Sequence, residues 1–210
     1  MGSVMTRSLV ITLPKKGNLQ QCQNYRTISL ISYPSKVMLK IIPTRLKPQA
    51  EKIIGEEQAG FRAGRSITEQ IINLRILCEK YLQHQKDLCH VFIDFKEAFD
   101  RVWHAALWAT MKKYISIIRV IKNLYDKATS TVLFNSSIED WFRTTVGVRQ
   151  GCLLSPTLFN VFLERFMTDA LEDHEGTVSI GGKAITNLRF ADDIDGFAGE
   201  EELGKLVERL

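Results

Sequence analysis

Two adjacent carboxylates, Asp192 and Asp193, stand between apolar residues in Phe190-Ala191-Asp192-Asp193-Ile194-Asp195-Gly196. Neighbouring acids at a strand end repel each other, and drawing either charge toward low dielectric costs more free energy. A divalent cation between them removes that conflict, and this is the chemistry the pair offers. The plain alternative is a solvated turn, since Asp is a common turn former. On this stretch alone the two readings balance. A third carboxylate, Asp94, closes the apolar run Leu88-Cys89-His90-Val91-Phe92-Ile93-Asp94-Phe95. That nearly continuous pattern predicts a strand buried on both faces. An acid at its end needs a partner or a metal, unless it caps a helix beginning at Lys96.

Other polar and basic groups stand in glycine-punctuated or basic stretches. Gly147-Val148-Arg149-Gln150-Gly151-Cys152 carries a long donor, Gln150, between glycines. The runs Leu9 to Leu13 and Asn24-Tyr25-Arg26-Thr27-Ile28-Ser29-Leu30 read as two strands around the basic turn Lys15-Lys16-Gly17. Such an arrangement can present cations to a phosphate, although on its own a solvated hairpin is the favoured reading. Glu57 to Ser66 is a second basic segment, punctuated by Gly60 and Gly64 and containing Arg62.

The elements that position these groups follow from periodicity. Leu188 to Phe197 reads as a hairpin with Asp192 and Asp193 at its tip, and Gly181-Gly182 upstream reads as a tight turn. Ser35 to Leu46 has helical spacing, but Pro43 inside it is expected to kink or end the helix at about 3 kcal/mol. Ser66 and Glu69 form a capping box for a helix reaching about His84. Ala105 to Ala128 reads as two helices broken near Tyr114 to Ser116. A hairpin is expected around Asn135-Ser136-Ser137. Ser155-Pro156 opens a helix with a broad apolar stripe, and Glu200 opens a last one.

Composition bounds the class. The chain has 210 residues, 45% hydrophobic and 25% charged, with a net charge of +4. These values suit a globular protein of one large or two small domains. A mild basic excess permits a nucleic-acid partner without demanding one. Cys22, Cys78, Cys89 and Cys152 are scattered, which argues against a zinc site or a disulfide scaffold. No apolar run is long enough to span a membrane, and the start lacks the pattern of a secretory signal.

In order along the chain, these segments resemble the reverse transcriptases of non-LTR (LINE-type) retrotransposons. Asn24 to Leu30 and Gln58-Ala59-Gly60-Phe61-Arg62 are similar to their two fingers motifs. Phe92 to Asp100, Arg149 to Pro156 and Phe190-Ala191-Asp192-Asp193 are similar to their three palm motifs. A lone Asp-Asp is a weak signal, whereas five motifs in family order are a strong one. The resemblance implies an α+β right-hand polymerase fold, an antiparallel palm sheet with packed helices preceded by a partial fingers subdomain. It implies fingers over 1–87 and palm over 88–210.

The resemblance also implies an RNA-directed DNA polymerase that joins a dNTP to a DNA primer on an RNA template, inside the cell, in cytoplasm and nucleus, without a membrane. It gives Asp94, Asp192 and Asp193 the metal-binding role, with the Phe95 carbonyl as a further ligand. Two Mg²⁺ ions, or Mn²⁺ in their place, stabilise charge on the attacking and leaving oxygens of phosphoryl transfer. Arg26 is implied to hold the triphosphate, since a guanidinium forks onto phosphate oxygens. Arg62 is a second candidate for that task, with backbone capping as its alternative. Gln150 and Gly151 are implied to lie beneath the nucleotide, the glycine allowing close approach. Phe99 stands where the family places a gate against the sugar 2′-hydroxyl, or else belongs to the core. Asp100 and Asp195 read as caps or surface acids.

Some positions depart from the family pattern. Thr27 stands where proline is usual, Pro43 interrupts a helix normally free of it, and the break near Ile115 lacks the usual Gly-x-Pro turn. The expected lysine-bearing loop, primer grip, thumb and endonuclease do not occur in these 210 residues, which read as a piece or a decaying copy of a longer polyprotein. Two readings stay open: a polymerase domain active in its parent, and an inactive remnant that at most binds nucleic acid. An RNA-dependent RNA polymerase is disfavoured by Ala191 and Phe99, which stand where those enzymes usually carry a glycine and a 2′-hydroxyl-reading acid.

Overall fold

The structure is a computed structural model that describes residues 6–134, 136–172, 179–180, 183–197 and 200–209. Its elements begin with β1 (Arg7–Pro14), β2 (Tyr25–Ile31), α1 (Tyr33–Ala50), α2 (Ile67–Gln83), β3 (His90–Asp94), α3 (His104–Tyr114) and α4 (Ile118–Asp126). There follow β4 (Thr129–Phe134), β5 (Ser137–Ile138), β6 (Phe142–Arg143), α5 (Ser155–Ala170), β7 (Ser179–Ile180), β8 (Lys183–Ala184), β9 (Asn187–Phe190), β10 (Asp193–Phe197) and α6 (Glu200–Arg209). They form two compact units, Met1–Ile53 with Phe99–Phe162 and Ile54–Ala98 with Leu163–Leu210.

In the first unit β1 pairs antiparallel with β2, in register from Ser8↔Ile31 to Pro14↔Tyr25. On its other edge β1 runs parallel to β4, and β5 and β6 pair antiparallel with β4. The buried hydroxyls of Ser8 and Ser130 lie 2.9 Å apart across the parallel pair, so each satisfies the other. The helix α1 does not stop at Pro43: it contains both Pro43 and Pro48. Proline removes one helical hydrogen bond, but Leu39, Ile42, Pro43, Leu46 and Ala50 form one buried face. Burying each large apolar side chain is worth roughly 1.5–3 kcal/mol, so packing of the face outweighs the local cost. Between α3 and α4 the chain breaks at Ile115, where the Gln49 Oε1 accepts from the Ser116 N–H at 2.8 Å.

The second unit is built on the antiparallel sheet β3-β10-β9. The predicted capping box opens α2: Ser66 Oγ accepts from the Glu69 N–H, and Glu69 Oε2 accepts from the Ser66 N–H. Leu77 of α2 packs with Leu188 and Phe197 of the sheet, and Leu74, Tyr81, Leu88 and Ile185 close around them. One expectation fails here. The strand β3 is not buried on both faces but alternates, and Phe92 is 70% exposed. It is an edge strand of the three, paired to β10 alone, whereas the buried residues of β9 and β10 fall on both faces. The expected turns at Gly181-Gly182 and at Asn135 lie outside the described residues. Among the described residues no helix is long and apolar enough to cross a membrane.

Candidate active site

The acidic hairpin forms as its pattern predicts. Phe190 of β9 faces Asp193 of β10, leaving Ala191 and Asp192 as a two-residue turn. Such a turn needs a positive φ, and Ala191 supplies it at 61°. The same strand places Asp193 directly opposite Asp94 of β3. Directly paired residues point to one face of a sheet, with Cα atoms about 4.5–5.5 Å apart. All three acids therefore meet at one end of the sheet, where Asp94 and Asp193 line an open cleft of about 240 Å³ against α2. Although Asp193 is exposed, partial burial pushes its carboxyl above the usual range, and the charges of Asp192 and Asp94 push it further.

That electrostatic conflict decides whether a metal suits the site. Among the described residues no group of three or more His, Cys, Asp or Glu is placed to hold a metal ion. The acids form an opposed pair with a neighbour rather than a closed cage. Mg²⁺ suits such a set, because it binds through one or two carboxylates and completes its shell with water and substrate phosphate. A cation also neutralises the repulsion that raises Asp193. Phe95 follows Asp94, and its ring packs edge-on against Phe166 at 5.7 Å.

The turn is braced from a distant stretch. Residues 57–59 run parallel to β9, with Arg189 donating to the Glu57 carbonyl and Ala59 donating to the Arg189 carbonyl, both at 2.9 Å. Beside them the Gln58 amide, 1% exposed, bonds both backbone groups of Ala191. Arg62 donates to the Gly55 and Gln58 carbonyls at 2.6 and 3.0 Å, a geometry that favours its backbone-capping role.

The other candidate residues lie in the first unit and are organised there. Exposed Arg26 directs its Nε toward Gln150 Oε1 at 3.4 Å, while Gln150 Nε2 donates to both Asp100 oxygens at 3.0 and 2.9 Å. The Gln150 carbonyl accepts from Ser29 N–H, which ties this loop to β2. Gly151 has φ 87°, and a Cβ there would meet Ile28 only at ordinary contact distance. Backbone conformation rather than space demands glycine at that position. Phe99 stacks on Phe159, with centroids 4.7 Å apart and planes 10° apart.

Sequence reasoning missed the partners of Gln58, described above, and of three further residues. Asp100 was read as a cap or surface acid; it remains exposed but orients Gln150. Asp195 is not a surface acid: it is 7% exposed and pairs with His90 Nδ1 at 3.1 Å. Burial raises its carboxyl, and His90 pulls it back down. Arg189, given no role in the sequence, is 3% exposed, 3.1 Å from Glu164 and 3.8 Å from Glu57. A charged residue in an apolar strand pattern was the only signal available for it.

The family profile described as reverse transcriptase (RNA-dependent DNA polymerase) matches residues 13–209. The chain is 32% identical over 164 residues to the transposon TX1 uncharacterized 149 kDa protein of Xenopus laevis, covering 77% of this chain and 12% of that one. It is 33% identical over 178 residues to a probable RNA-directed DNA polymerase from transposon X-element of Drosophila melanogaster, covering 81% and 18%. The chain thus spans less than a fifth of the length of these relatives. The structure of apo telomerase from Candida tropicalis truncated from its C-terminal domain superimposes with TM-score 0.69 at 16% identity, covering 98% of this chain and 46% of that one. Telomerase from Candida albicans gives 0.68 at 11% identity, covering 99% and 39%. These likenesses show the fold, which is that of right-hand polymerases.

Proposed function

The chain belongs to the reverse transcriptase (RNA-dependent DNA polymerase) family, among those of non-LTR retrotransposons, and from that membership we propose that it is the fingers and palm portion of an RNA-directed DNA polymerase. It joins deoxynucleotides to a DNA primer 3′-hydroxyl along an RNA template. Fingers take residues 1–87 and palm 88–210. The observation that carries this reading is the pairing of Asp94 with Asp193 across β3 and β10, with Asp192 in the adjoining turn.

Asp94, Asp192 and Asp193, with the Phe95 carbonyl, would hold two Mg²⁺ ions, or Mn²⁺, which when bound neutralise charge developing on the attacking and leaving oxygens. The remaining work falls to the chain's own side chains. Arg26, on the outer surface of β2, offers its guanidinium to the triphosphate. Gln150, held by Asp100, presents a fixed amide beneath the nucleotide. Gly151 turns the loop so that its backbone follows the same surface. The Phe99 ring, fixed by its stack on Phe159, blocks a 2′-hydroxyl. Arg62 contributes by fixing the backbone of Gly55 and Gln58, and its reach for phosphate would require leaving those carbonyls.

Single-nucleotide addition tests the reading. With an RNA template, a DNA primer, Mg²⁺ and the matching deoxynucleotide, the wild-type chain should extend the primer by one residue. Asp94→Asn and Asp192→Asn should each lower that rate by at least about a hundredfold. Extension absent from the wild type would return the chain to an inactive remnant, and extension unaffected by either change would overturn the assignment of these acids.

A further inference from the structure

We propose that Gln58 is a positioning residue for the acidic turn, its side-chain amide holding Ala191 in the positive-φ conformation that presents Asp192 beside Asp193 and Asp94. The inference rests on the reading of these acids as metal ligands. Three hydrogen bonds converge on this one buried amide. Nε2 donates to the Ala191 carbonyl at 2.9 Å, while Oε1 accepts from the N–H groups of Ala191 and Gly60, both at 2.8 Å. Only this orientation of the amide works, because a flipped group would set NH₂ against two N–H donors. The carboxamide copies the donor-and-acceptor edge of a neighbouring strand and applies it to a single turn residue.

Ala191 is the reason such a brace is required. The turn is of the kind that normally places glycine at its positive-φ position, because a Cβ there crowds the backbone. Alanine at φ 61° is strained, and strain persists only when the surroundings over-determine it. Gln58 pairs both polar groups of the strained residue, so no relaxed φ keeps both bonds. Gln58 is itself fixed: its own carbonyl accepts from Arg62, and residues 57–59 are laddered onto Arg189. Without the amide, Ala191 can relax to negative φ, which swings Asp192 away from the Asp94–Asp193 pair. Ligand orientation from a residue that never touches the ion is an established determinant of metal affinity.

Mn²⁺ binding to the 210-residue chain, read from free-ion electron paramagnetic resonance and corrected for the folded fraction by circular dichroism, tests the proposal. Gln58→Met preserves length and apolar packing, and Gln58→Asn preserves the amide on a shorter arm. Both should weaken Mn²⁺ binding per folded molecule by about tenfold. Adding Ala191→Gly to Gln58→Met should restore affinity to within about threefold of wild type, because glycine adopts positive φ unaided. A purely structural glutamine would lower the melting temperature without moving that affinity. Unchanged Mn²⁺ affinity in both variants, or a loss that glycine fails to rescue, overturns the proposal. Asp192→Asn separates the two levels of the argument: if it binds Mn²⁺ as the wild type does, the metal reading itself has failed. Should both single variants fail to fold, Gln58→Met in the Ala191→Gly background is expected to fold and bind within about threefold of wild type; failure of that variant also overturns the proposal.

Discussion

Asp94 and Asp193 face each other across the antiparallel β3–β10 ladder, with their carboxylates on the same face of the sheet. Like charges directly opposite destabilise a strand pair, and partial burial, with the charges of Asp192 and Asp94 added to it, raises the Asp193 carboxyl. Folding lifts its pKa above the unfolded value of about 3.9. The folded chain then binds more protons than the unfolded one, so stability falls as pH rises through that interval. The contribution of the protonated form is complete below the unfolded pKa and lost above the folded one. Asp193→Asn should therefore be more stable than wild type near pH 7 and match it below about pH 3.5. Because the carboxyl is exposed, solvent screening keeps the gain under about 1 kcal/mol. Melting curves across this range decide the matter, and a variant less stable at neutral pH contradicts it. Saturating Mg²⁺ should reverse the order, since it stabilises only the chain that binds it.

Asp100 holds Gln150 by two hydrogen bonds. Asp100→Ala should free that amide and raise KM for the incoming deoxynucleotide by about fivefold, the equivalent of one ordinary hydrogen bond. The rate at saturating nucleotide should change less, because the substituted residue orients a binding group rather than a reacting one. Steady-state single-nucleotide addition measures both quantities. An equal fall in kcat with KM unchanged would place Asp100 in the chemical step instead.

Phe99 rests flat on Phe159, so its ring orientation is set before any nucleotide arrives. Phe99→Ala should raise incorporation of ribonucleotide relative to deoxyribonucleotide by at least about tenfold, the discrimination expected of a steric contact with one small group. Phe99→Tyr keeps the ring and should leave the ratio near wild type. If alanine alters stability alone, with the ratio constant, the side chain belongs to the Phe99–Phe159 stack and not to sugar selection.

The acidic hairpin was legible because its signals are local. Apolar runs flank Ala191-Asp192-Asp193, and β9 and β10 pair as that pattern requires. The Ser66–Glu69 capping box was legible for the same reason. Errors came where local rules met tertiary context. The cost of Pro43 is real, but the buried face of α1 exceeds it. The apolar run ending in Asp94 suggested two covered faces, whereas an edge strand in a three-stranded sheet leaves Phe92 open. Gln58 was invisible as a brace because its partner lies 133 residues away. The clue in hand was that Ala191 occupies a turn position suited to glycine. Arg189, Asp195 and Asp100 share that lesson: each charge is explained by a partner far along the chain.

Gly60 provides the sharpest mechanical test of this bracing. A Cβ built there would lie 2.1 Å from the Ala191 nitrogen and 2.7 Å from its Cα. Both atoms belong to backbone that is fixed on one side by the β9–β10 turn and on the other by Gln58. Neither can yield as a flexible side chain would. In Gly60→Ala the segment 57–60 must therefore peel from β9, giving up the Ala59 to Arg189 bond and the Gln58 contacts. Each buried polar group left unpaired costs about 1–3 kcal/mol, so a total loss of at least about 3 kcal/mol is expected. Gly64 supplies the control. A Cβ there meets nothing within 4 Å, but φ is 73°, so Gly64→Ala should lose only the conformational penalty of about 1–2 kcal/mol. Urea denaturation compares the two variants at constant slope. Gly60→Ala should also bind Mn²⁺ more weakly per folded molecule, whereas Gly64→Ala should not. Equal destabilisation with intact Mn²⁺ affinity in both would mean that the turn keeps its shape without segment 57–60.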